Sequence, residues 1–217
     1  MKLRTIALAG AVLCAFATPA ASAEGWYLGL GVGWSQLADG DYSAQAIGFA
    51  GDASFGSTVR GGVSGGYKWA TGLRAEFEFG YAKYDFESAT GNGAPLPGTG
   101  GDISVATFLA NVAYDIPISQ SLSFTAGGGI GAGSVRADYS ESILAITNKG
   151  TDTSFAWQLI AGLIWSVGPK FDLQLDYRYV TAGGTTHDVT FQGQPAGTID
   201  YGDAMAHNVM VTARWFP

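Results

Sequence analysis

Cysteine is almost missing from this 217-residue chain: Cys14 is the single one, and it lies in the N-terminal apolar stretch. The rest therefore has neither a disulfide framework nor a thiol nucleophile. Charge is scarce too, at 13% of residues against about 25% in an ordinary soluble domain. The two histidines, His187 and His207, have no cysteines to complete a zinc site, and no metal is expected. Beyond residue 23 no uninterrupted apolar run reaches the ~18 residues of a membrane helix. Gly127 to Gly133 lacks the lysine of a phosphate loop, so no nucleotide or other cofactor is expected.

What is present begins at the N-terminus. Lys2 and Arg4 precede the apolar stretch Ile6–Ala17, and Ala21-Ser22-Ala23 forms a small-x-small cleavage site. This reads as a cleaved secretory signal over residues 1–23, with Ala23 and Glu24 flanking the cut. Leu13 before Cys14 does not suit lipidation. Taking Lys2 and Arg4 from the 11 basic residues leaves nine against 18 acidic ones. That balance excludes a nucleic-acid partner, which needs a basic face.

The mature part, 24–217, is expected to be one domain. Its apolar residues alternate. Trp26, Leu28, Leu30, Val32 and Trp34 share one face, with mostly glycine between them. Val59, Val63 and Tyr67 stand against Arg60, Gly62, Ser64 and Lys68; Leu73, Phe77, Phe79 and Tyr81 against Arg74, Glu76, Glu78 and Gly80. Phe171, Leu173, Leu175, Tyr177 and Tyr179 alternate with Asp172, Gln174, Asp176 and Arg178. Softer versions run over Ser104–Tyr114, Leu122–Ser134, Phe155–Val167 and Asn208–Trp215. A period of two is the mark of strands. Segments of about 9–11 residues cross a bilayer when tilted, and a closed barrel leaves no backbone group unpaired in lipid.

Connections between the segments alternate in length. Short links at Ala70–Gly72, Ile116–Ser121 and Val167–Lys170 take turns with long ones at Ser35–Gly56, Glu87–Asp102, Ala137–Asp152 and Thr181–Ala204. Short periplasmic turns and long extracellular loops belong to transmembrane barrels. The expected fold is thus all-β: an eight-stranded antiparallel transmembrane up-and-down β-barrel with both termini periplasmic.

With the greasy face outward, the lumen receives Arg60, Lys68, Arg74, Glu76, Glu78, Asp172, Gln174, Asp176, Arg178 and Arg214. Eight strands leave an interior just wide enough for side chains to fill, and unpaired charges there are costly, so mutual ion pairs are expected. Asp172 and Arg214 on neighbouring strands form one expected pair. The loops are acidic, with Asp39, Asp41, Asp52, Glu87 and Asp200 among their residues, and Ile143, Leu144 and Ile146 form an apolar patch in the third.

Three stretches carry a family resemblance: Gly25 to Trp34, Phe155-Ala156-Trp157-Gln158-Leu159-Ile160-Ala161-Gly162, and Leu173 to Tyr179, closed by Ala206-His207-Asn208-Val209. On them the chain resembles the small outer-membrane β-barrel domains, the OmpA-like and opacity-type surface proteins. The resemblance implies a Gram-negative outer membrane, a setting of outer-membrane lipid and lipopolysaccharide, and the barrel assembly machinery during biogenesis. It also implies a structural or surface-interaction, adhesin-like role, with a host or surface ligand at the loops and no catalysis. A small passive or gated pore is the alternative, and a lipid A-modifying enzyme a remoter one. His207 is followed by Asn208 with no serine two positions on, which departs from the deacylase pattern. The family usually ends on an aromatic residue; here Pro217 follows Phe216.

Overall fold

The computed structural model describes residues 24–44, 49–96, 99–141, 146–191 and 194–217. The signal segment up to Ala23, and Ile143 and Leu144 of the apolar patch, lie outside them. Thirteen strands follow in order: β1 (Gly25–Leu37), β2 (Gly40–Ala44), β3 (Phe49–Phe55), β4 (Ser57–Lys68), β5 (Leu73–Gly91), β6 (Ala94–Pro95), β7 (Thr99–Pro117), β8 (Leu122–Glu141), β9 (Ile146–Gly168), β10 (Phe171–Ala182), β11 (Thr185–Phe191), β12 (Gln194–Tyr201) and β13 (Ala204–Trp215). Among the described residues no helix is long and apolar enough to cross a membrane.

Eight of these strands close a ring. β1 pairs with β4, then β5, β7, β8, β9, β10 and β13 follow, and β13 returns to β1, every pairing antiparallel. Side chains alternate across the wall: Leu28 is 61% exposed, whereas its neighbour on the other face, Tyr27, is 2% exposed. Outward rows of Leu, Val and aromatic residues match the greasy faces read from the sequence.

The turns at one end are short. At Trp69–Gly72 the Gly72 amide donates to the Trp69 carbonyl at 2.9 Å. Gly72 takes φ +88°, a conformation in which a Cβ is strained. At the opposite end the wall carries on. β8 and β9 are 20 and 23 residues long, about twice what a bilayer crossing needs.

Four of the stretches expected as long loops are therefore largely strand. β2, β3, β11 and β12 continue β1, β4, β10 and β13. Against β9 the register slips by one residue, from Ala182↔Ala156 to Val189↔Asn148, but on three ladders it is unchanged: Leu37↔Ala206 on β1–β13 leads on to Tyr42↔Tyr201 on β2–β12. Likewise Gln36↔Ser57 leads to Gly40↔Ala53, and Ala182↔Ala204 to Thr185↔Tyr201. The breaks fall at Ala38–Asp39, Gly56, Gly183–Gly184 and Gly202–Asp203, all on one flank. Hydrogen bonds bridge them, including Ala38 N to Met205 O at 2.8 Å and Gly184 N to the Asp203 carboxylate at 2.9 Å. A ladder held by backbone bonds needs no apolar alternation, so these polar segments gave no strand signal. The result is a β-collar standing on the barrel.

Candidate functional site

Inside the ring the side chains form layers. Nearest the short turns, Phe216 packs on Tyr27 with ring centroids 5.4 Å apart, and its amide donates to Lys170 O at 2.9 Å. Trp215 faces outward and Phe216 inward, so the last outward aromatic position is Trp215.

Above this aromatic floor lies a charged layer. Five cations (Arg60, Lys68, Arg74, Arg178, Arg214) and five carboxylates (Glu76, Glu78, Asp115, Asp172, Asp176) are buried in the lumen. Equal numbers leave it formally neutral. Lys68 Nζ stands 3.1 Å from Asp115 and 3.5 Å from Asp172; Arg74 reaches Glu76 at 3.4 Å and Asp115 at 3.7 Å. Arg178 meets Glu78 at 2.5 Å and also holds Asp176. Neutral groups complete the mesh. The Tyr27 hydroxyl donates to Glu76 at 2.5 Å, Asn111 and Gln158 donate to Glu78 at 3.0 and 3.2 Å, and Gln174 donates to Asp176 at 2.6 Å.

All ten lumen residues named from the sequence thus face inward, but not all pair as expected. Asp172 and Arg214 are opposite in register, yet Asp172 turns to Lys68 and accepts from Ser166 at 2.7 Å. Arg214 donates to Gln174 and lies over the Tyr27 ring at 5.5 Å from its centroid. Among the described residues Arg60 pairs with no carboxylate: Nη2 donates to Thr107 at 2.7 Å, while Nε and Nη1 have no hydrogen-bond partner there. Asp115 and Tyr27 are lumen members that the sequence reading missed; Asn111 and Gln158 fall on the polar faces of their strands but were not named for the lumen. Asp115 follows the strand end drawn at Tyr114, and Tyr27 sat among glycines on a face read as nearly bare.

Toward the collar the interior turns apolar. Leu37, Phe55, Tyr84, Val105, Leu109 and Val135 cluster with small residues such as Ala82, Ala156 and Ala182. Beneath them the Ser35 hydroxyl bridges Tyr84 at 2.5 Å and Asn208 at 2.6 Å. Alternation places apolar residues outward only where the inside is polar, so an apolar cap on both faces could not be read from period two.

Outside, two aromatic groups mark the ends of the apolar band. Near the short turns Trp26, Tyr67 and Trp69 make edge contacts at 5.3 and 5.1 Å. Near the collar Trp157, Tyr179 and His207 pack at 5.5 and 5.3 Å, and His207 Nδ1 hydrogen-bonds the Tyr177 hydroxyl at 2.6 Å. Such girdles belong at membrane–water interfaces. The His187 side chain lies outside the described ones. In the collar a shallow hollow is lined by Asp41, Asp52, Asp200, Tyr42 and Ser43. No cluster fit to hold a metal ion occurs among the described residues.

No curated protein sequence matches the chain. Solved structures do. The outer membrane protein OprG from Pseudomonas aeruginosa is 12% identical over 92% of this chain and 99% of its own, with TM-score 0.66. Neisserial surface protein A (NspA) is 15% identical over 88% and 96%, with TM-score 0.55. The outer membrane protease OmpT from Escherichia coli is 6% identical over 87% and 96%, with TM-score 0.54. At these identities the likeness shows the fold alone, a fold shared by proteins of different activities. The model of the outer membrane protein β-barrel domain matches residues 5–214, and the chain belongs to that family.

Proposed function

We propose that this is a non-catalytic surface barrel: a sealed outer-membrane anchor that presents its collar to the cell exterior, with both termini periplasmic. The sealed lumen carries the reading. Phe216 and Tyr27 close one end, the apolar cluster around Tyr84 and Leu109 closes the other, and charges of both signs interlock between. A conducting path needs a continuous wet lining, which this layering interrupts. A small passive or gated pore is accordingly disfavoured.

The collar is where contact with other molecules takes place. Asp39, Asp41, Asp85, Glu87, Asp200 and Asp203 are exposed there, an acidic rim suited to a cationic surface or ligand. His207 is taken up by Tyr177 and Tyr179, so the nearest thing to a catalytic group serves the aromatic girdle. Lipid A from cells with and without the protein is expected to carry the same acyl chains; a changed pattern would sink the non-catalytic reading. Glu87→Cys should react with a membrane-impermeant maleimide on intact cells, and silence there would reverse the orientation. Cells whose β11–β12 hairpin is cut to a short turn should adhere less to host-cell or matrix surfaces. Equal adhesion contradicts a surface-contact role.

A further inference from the structure

Among the described side chains, two cations of the outer wall fall in one row. Of the basic residues, five are inside the lumen and Lys170 sits in a turn at the far end. Lys83 on β5 and Arg136 on β8 face outward and are exposed. Ser104 of β7 stands between them as the direct register partner of both. Two strand spacings put the Lys83 and Arg136 backbones about 10 Å apart.

The rows on either side give this pair its meaning. One outward step toward the membrane come Tyr81, Ala106 and Ser134, then Phe79, Phe108 and Ala132. The Tyr81 hydroxyl donates to Ser104 at 3.2 Å. One outward step toward the collar tip stand Asp85 and Asp102, directly opposed in register. The cation row therefore lies between an apolar band and an acid row.

We propose that Lys83, Ser104 and Arg136 form a binding site for the phosphate of a membrane lipid in the collar-side leaflet. An anion arriving from solution meets Asp85 and Asp102 first and is repelled. A lipid phosphate rises from the membrane side, where Ala106 and Ala132 leave low relief for the chains attached to it. Lys83 already holds Asp102 at 3.0 Å, but its side chain is 52% exposed. An exposed pair of this kind is weak, and a phosphate can share the lysine. That the leaflet is the outer one rests on the orientation proposed above.

The test uses the whole chain in detergent micelles, where orientation plays no part. Native mass spectrometry compares retention of bis-phosphorylated lipid A with that of its dephosphorylated form, for the unaltered protein, for Lys83→Gln/Arg136→Gln, and for Lys170→Gln as control. The phosphorylated lipid is expected to be retained on the order of tenfold better by the unaltered protein and the control than by the double variant. Equal retention of the two lipids, or full retention by the double variant with its barrel intact on a heat-modifiability gel, overturns the site. Retention as expected, but with Glu87→Cys unlabelled on intact cells, would keep the site and move it to the inner leaflet.

Discussion

Glu78 accepts from Arg178, Asn111 and Gln158 together, so its removal leaves a buried guanidinium with Asp176 as its remaining carboxylate. Breaking a buried pair from one side costs about 3–5 kcal/mol. Glu78→Ala should lower the urea midpoint of the refolded protein accordingly. Glu78→Met/Asp176→Asn/Arg178→Met should recover much of the loss, because it removes the guanidinium together with both carboxylates that it holds. An unchanged midpoint for Glu78→Ala would show that the pair carries no weight. Charged residues at lumen positions were legible because each interrupts an otherwise apolar alternation. Their partners were not, because a long side chain in a narrow tube chooses among several neighbours. Lys68 drew both Asp115 and Asp172, and register alone had offered Asp172 to Arg214.

Among the elements, the eight spanning strands could be read from period two, and their extensions could not. β8 runs to Glu141 and β9 starts at Ile146, through a stretch whose sequence shows no apolar alternation. Glycine, too, has two meanings along one strand. A Cβ on Gly66 of β4 would come within 2.7 Å of Glu76 Cβ, whereas one on Gly61 meets nothing within 4 Å. The inward glycine makes room for a lumen side chain; the outward one faces lipid. Gly66→Leu should therefore abolish or slow formation of the compact, heat-modifiable band on a gel, and Gly61→Leu should leave it unchanged. The reverse outcome would mean the faces of β4 have been assigned the wrong way round.

At the scale of the molecule, the sequence pointed to a closed barrel with a polar filling, and the structure divides that filling into an aromatic floor, a neutral charged mesh and an apolar cap. The cap escaped notice because Leu109, Val105 and Val135 are apolar on the inward face, where the pattern led one to expect polarity. It matters for function, since charge pairs alone can rearrange around water, while a packed apolar layer excludes it. On the proposed reading, the acidic collar above and the lipid-facing wall below then remain as the surfaces through which the protein acts. The most direct measurement of this account is current across a planar bilayer containing the purified, folded protein. A sealed lumen predicts a flat baseline without discrete steps at moderate voltage; stable, reproducible unitary openings from the unaltered protein would contradict it.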